Sequence, residues 1–190
     1  MTPPEFGATA WGRAWVRTIE RTDGPPNPLL PKARSLARNH AVTLLTAPGR
    51  IEADVADRGG AHRVRINLSL WPETTRAYAS RRAAEAATAH RGLAPGDLPD
   101  ALEAELSGRG IATAERPDAD TSTCDCRSRR RPCVHVLATV YALAQLVDER
   151  PVLAVELRSV DGAPPAPSPD WIPLTHLRAA TFYGDPHDPE

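Results

Sequence analysis

The stretch CDCRSRRRPCVH, residues 124–135, restricts this chain more than any other. It holds all three cysteines of the 190 residues, together with one histidine and four arginines. The order is Cys124-x-Cys126, a six-residue spacer, then Cys133-x-His135. Three thiols and one imidazole make a complete four-ligand set of the Cys3His kind that Zn2+ takes in closed tetrahedral sites. In an extended segment residues i and i+2 share a face, so Cys124 and Cys126 can meet one ion. Inside a helix i and i+2 diverge. Cys133 is therefore expected at or just before a helix start, with Pro132 stiffening the approach and His135 in the first turn. The positive end of that helix favours a Cys133 thiolate. A disulfide framework wants an even cysteine count and a secreted chain. A redox pair at Cys124 and Cys126 leaves Cys133 and His135 unexplained. Four protein ligands leave no open position for water, so the site reads as one structural zinc, with no catalytic residues assigned. Asp125 sits between two ligands, but alternation aims it away from the ion. His40, His62, His90, His176 and His187 have no partner at ligand spacing and read as surface or packing residues.

Arg127, Arg129, Arg130 and Arg131 fill the spacer. A zinc ion with three thiolates and a neutral imidazole carries a net charge of about −1, which one or two cations offset. The surplus arginines on a short loop are candidates for binding nucleic-acid phosphate; the alternative is a merely solvated loop. The chain as a whole is nearly neutral at −1, but residues 1–95 carry +6 and residues 96–190 carry −7. That balance excludes a protein that coats nucleic acid with its entire surface. Lys32 is the sole lysine among the basic residues. With abundant Ala and Pro, this is the compositional habit of a GC-rich bacterial genome.

The rest of the chain predicts an α+β fold. Residues 9–20 read as a helix capped by Thr9, with Trp11, Trp15 and Ile19 on one face as core anchors. Residues 24–31 are Pro-rich and read as a loop. From 42 to 70, Ile51, Ala53 and Val55 alternate with charged residues, as do Val64, Ile66, Leu68 and Leu70 with polar ones. With turns at Pro48-Gly49 and Arg58-Gly59-Gly60, this predicts a three-stranded antiparallel meander. Matching the buried faces sets Glu52 and Asp54 against Arg63 and Arg65, as cross-strand charge partners. A helical middle follows at 72–91 and 97–110, the second helix capped by Asp97 and striped by Leu98, Leu102 and Leu106. Residues 111–117 are expected to form a short strand. Residues 134–149 are apolar on two sides, which predicts a helix buried between layers. Pro151 starts one more short helix. A Pro-rich linker at 161–173 leads into a tail that packs back through Leu174, Leu177 and Phe182. The expected division is 1–117 as an α+β region, 118–150 as the metal-binding unit, and 151–190 as helix, linker and tail. No secretory signal or membrane-length apolar run is visible, so a cytoplasmic protein without membrane partners is expected.

Cys-x-Cys, a short spacer, Cys-x-His and an apolar helix together resemble the SWIM zinc finger over about residues 120–147. The segments WGRAWVRTIE, KARSLARNHAVTLL, GRIEADV, HRVRINL and FYGDP extend the resemblance to bacterial SWIM proteins associated with SWI/SNF-type helicases. The resemblance implies a short hairpin plus helix, zinc on Cys124, Cys126, Cys133 and His135, and a role in binding DNA or protein. Val134 stands where the family often has Lys, and the spacer lacks the family's frequent aromatic residue. No phosphate-binding glycine loop and no nucleophile–base pair is visible, so no enzymatic activity is expected. Two functions stay open, beside a third reading as an enzyme whose site is scattered along the sequence. One is a nucleic-acid-binding accessory protein, with DNA as the expected ligand, acting with a helicase-type ATPase. The other is a protein-interaction adaptor in which zinc is only a staple.

Overall fold

Alternation along residues 42–67 builds the sheet that carries the rest of the molecule. The computed structural model describes residues 5–20, 26–89 and 94–159. Strands β1 (Val42–Ala47), β2 (Arg50–Asp57) and β3 (Gly60–Asn67) form the expected antiparallel meander. Ile51 stands opposite Ile66 and Ala53 opposite Val64, so the buried faces coincide. The same register sets Glu52 against Arg65 and Asp54 against Arg63 on the outer face. Their ion pairs close at 3.0 Å and 3.6 Å. A one-residue slip of β3 against β2 would turn Val64 and Ile66 out to solvent while Ile51 and Val55 stayed buried, which fixes the parity of the pairing. The β1–β2 turn takes Gly49 to φ 71°, a left-handed conformation that glycine adopts without strain.

Helices cover the inner face. The chain runs α1 (Ala10–Ile19), α2 (Leu30–Arg38), the meander, α3 (Glu73–Ala89), α4 (Asp100–Gly108), β4 (Ser122–Cys124), α5 (Val134–Glu149) and α6 (Val152–Glu156). Thr9 caps α1 by accepting from the Gly12 amide at 3.1 Å, and Trp11 and Trp15 are fully buried. Helix α5 lies at the centre, packed against α1 and α2 on one side and the sheet on the other. That position explains its two apolar faces: Val136, Leu137, Val140, Tyr141, Leu143, Ala144 and Val147 are all inaccessible to solvent. Each fully buried Val or Leu side chain contributes roughly 1.5–3 kcal/mol of burial free energy. Tyr141 keeps its hydroxyl satisfied at the edge of this core, donating to Glu20 at 2.5 Å and accepting from Arg34 at 3.0 Å. At the other end of α5, the Asp148 carboxylate accepts from the amides of Gly7, Ala8 and Thr9 and from the Thr9 hydroxyl.

Several expectations need correction. Residues 30–38 belong to a helix, α2, with a proline in its first turn, where the missing amide donor costs nothing. The N-cap of α4 is Pro99; Asp97 instead accepts from the Ala94 amide at 3.2 Å. Residues 111–117 form no strand. Strand β3 ends at Asn67, so the alternation stops short of Leu70, which is 42% exposed. The cysteine segment makes no hairpin of its own. Its strand β4 pairs antiparallel with β3, Cys124 opposite Val64, and becomes the fourth strand of the sheet. The expected Pro-rich linker and the packing of Leu174, Leu177 and Phe182 lie outside the described residues, as do His90, His176 and His187.

Candidate metal centre

The cysteine–histidine segment meets itself where the sheet ends and α5 begins. Cys124 closes β4, on the same face as the buried Val64 opposite it. Cys133 is the N-cap of α5 in extended conformation, and His135 lies in the first turn. The six-residue spacer loops back between them. One ligand atom from each of Cys124, Cys126, Cys133 and His135 lies within 4.8 Å of the other three. Cys124 Sγ and His135 Nδ1 are 3.7 Å apart. Two ligands on a tetrahedral zinc, with Zn–S near 2.3 Å and Zn–N near 2.05 Å, sit roughly 3.6 Å apart. The arrangement therefore fits one structural Zn2+, held by three thiolates and Nδ1. All four positions are protein atoms, which closes the coordination shell.

The electrostatics ask for a cation. Burial pushes the Cys124 thiol up to about 12, and its thiol neighbours add to the rise. Burial also pushes the Cys133 thiol up, while the backbone amides of Val136 and His135 at the head of α5 pull against it. For Cys126 burial is outweighed by the Ser128 amide, the neighbouring thiols and Arg131, so its thiol is lowered. Three thiolates cannot coexist here without compensating charge, and a divalent ion supplies it. Burial likewise lowers the His135 pKa, keeping the imidazole in the neutral form that ligates metal.

All four arginines of the spacer are exposed, and Arg131 in addition acts on the metal cluster. Arg131 faces the Cys126 thiol and offsets the cluster's negative charge. Arg127, Arg129 and Arg130 are exposed, and among the described residues no carboxylate pairs with them. Asp125 points away from the ligands, as alternation requires, and accepts from the Arg63 amide at 3.1 Å. Its other oxygen lies 3.3 Å from His62 Nδ1.

Sequence reasoning missed three residues at this centre. The His62 ring stacks on His135 at 4.1 Å between centroids, a packing role that sets it directly against a metal ligand. Asp57 Oδ2 lies 3.4 Å from His135 Nε2. Lys32 Nζ lies 2.5 Å from the same oxygen and, with the Arg58 amide, holds the Asp57 carboxyl down at about 2. Nothing in the spacing of the ligands points to α2 or to the β2–β3 turn; only the folded sheet brings them there.

Residues 106–144 match the SWIM zinc finger family. This segment is a SWIM zinc finger. The matched span runs from the end of α4 through the ligands into α5, so the finger contributes both the metal site and the central helix of the fold. The chain is also similar to "Uncharacterized protein Rv2102" of Mycobacterium tuberculosis (strain ATCC 25618 / H37Rv), 28% identical over 146 residues. The alignment covers 75% of this chain and 52% of that protein, so the chain spans about half the length of the curated relative it matches. No solved structure matches. Among the described residues no helix is long and apolar enough to cross a membrane.

Proposed function

We propose that the protein is a non-catalytic accessory factor, cytoplasmic and bacterial, whose SWIM finger presents an arginine loop to nucleic acid, with DNA the favoured ligand. The observation that carries this reading is the state of Arg127, Arg129 and Arg130: exposed, and without a carboxylate partner among the described residues. Elsewhere the arginines of the sheet face are neutralised by Glu52 and Asp54. A loop tethered by Cys126 on one side and Cys133 on the other loses little conformational entropy when it engages phosphates. Action beside a helicase-type ATPase belongs to the same proposal. So does a division of labour in which 118–150 makes the contact, 1–117 is its scaffold and 151–190 is an appended segment.

DNA affinity measured against salt concentration tests it. Three phosphate contacts predict a slope of about −3 in log K against log[salt]. Substituting Arg127, Arg129 and Arg130 together by Ala, while keeping Arg131 beside the metal, is expected to flatten that slope with zinc content unchanged. An unaltered slope overturns the assignment. The competing adaptor reading is favoured by Leu45, 69% exposed on the outer face of β1, one of the two edge strands of the sheet. One stoichiometric partner surviving nuclease treatment, without salt-dependent DNA binding, supports the adaptor instead.

A further inference from the structure

Metal ligands of the finger lie between 124 and 135, yet the groups that surround its imidazole come from far upstream. His135 is 6% exposed at its side chain and Asp57 12%, so their contact is screened from solvent. With Nδ1 turned toward Cys124, Nε2 must carry the ring proton when a metal is bound. Among the described residues the acceptor it meets is Asp57 Oδ2 at 3.4 Å. Asp57 is the last residue of β2, and Lys32 reaches it from α2. His62, from β3, covers one face of the ring at an interplanar angle of 22°. Asp125 steadies His62 in turn. The imidazole is thus fixed along its edge by a carboxylate and across its face by a second ring.

We propose that Asp57 is a positioning residue for the zinc site: it accepts the Nε2 proton of His135, selects the Nδ1-ligating tautomer and raises the affinity of the finger for its ion. The physical reason is general. A carboxylate behind a ligating imidazole makes it a better donor to metal and fixes its orientation. Lys32 balances the added negative charge, which would otherwise sit beside a cluster already at about −1. The zinc site therefore extends beyond residues 106–144 into the β2–β3 hairpin and α2. This inference goes beyond the nucleic-acid reading and stands independently of it.

The experiment uses the full chain loaded with zinc, in the absence of nucleic acid. Zinc dissociation constants are obtained by competition with a chromophoric chelator. Asp57→Ala is expected to weaken binding by about 10- to 100-fold, and Asp57→Asn, which still accepts the proton, by less. Lys32→Ala breaks the same ion pair but spares the Nε2 contact, and is expected to stay within about three-fold. An Asp57→Ala affinity within two-fold of the parent overturns the proposal. So does a Lys32→Ala loss equal to that of Asp57→Ala, because the ion pair and its packing then account for everything. A second measurement needs no variant. In the parent protein loaded with cadmium-113, nitrogen NMR is expected to show metal coupling at His135 Nδ1 and a slowly exchanging proton on Nε2. Coupling at Nε2 overturns it.

Discussion

Cys133→Ser is expected to abolish zinc retention and to lower the unfolding temperature by about 10 °C. The side chain is completely buried, starts α5 and belongs to the same core cluster as Leu137 and Tyr141. Serine removes the thiolate and leaves a hydroxyl where burial offers it no water. Metal affinity in such sites is folding free energy, because the unfolded chain does not hold the ligands together. The helices and sheet keep an apolar core of their own, so the loss is a fraction of the full metal-binding energy. About 4 kcal/mol is the scale for losing a structural metal in a chain of this kind. For 150–250 residues each kcal/mol moves the midpoint by about 2–4 °C. Elemental analysis of purified protein reads the first effect and thermal unfolding the second; chelation of the parent protein should reproduce both. Full occupancy with unchanged stability would refute the metal assignment.

Gly12→Ala is expected to cost about 3 kcal/mol, although it adds only one methyl group to a helical residue. Alanine is the better helix former by roughly 1 kcal/mol, so propensity alone predicts stabilisation. Packing decides otherwise. A Cβ at Gly12 collides with the Asp148 carboxylate and comes within 2.8 Å of the Ala144 carbonyl. The carbonyl belongs to the backbone of α5 and cannot turn away. The carboxylate is tied to the amides of Gly7, Ala8 and Thr9, so moving it strands their donors. Overpacking costs about 1–3 kcal/mol before those bonds are counted. Denaturant unfolding measures the difference, and a neutral or stabilised variant would show that α1 and α5 are not in close contact at this point.

Much of this architecture was legible in residues. The parity of β2 against β3 followed from alternation, because two alternating strands with one dry face must bring their apolar sets together; the sheet itself selects Ile51 opposite Ile66. Helix α5 was legible from apolar residues on two sides, and the four metal ligands from their type and spacing. Strand β4 was not, because three residues are too few to show a period; its identity is set by β3 beside it. Helix α2 was hidden behind the prolines at 25, 26, 28 and 31. The groups around His135 were the least visible. Asp57 is 78 residues away in sequence, at the end of a strand, and it looks like any acidic turn residue until the sheet and α2 converge.

The pairing of β4 with β3 has a consequence for how the molecule behaves among its own copies. Strand β3 would be the open margin of the sheet at Val64–Ile66 if β4 did not lie along it. Unsatisfied strand margins invite other chains to add to them, and proteins guard them with short covering strands. Here the cover is only Ser122–Cys124, too brief to hold itself in place. Its last residue is a metal ligand, so the ion rivets the cover to the start of α5. Zinc thereby helps to hold the covering strand along β3, so that the finger guards one margin of the sheet as well as starting α5.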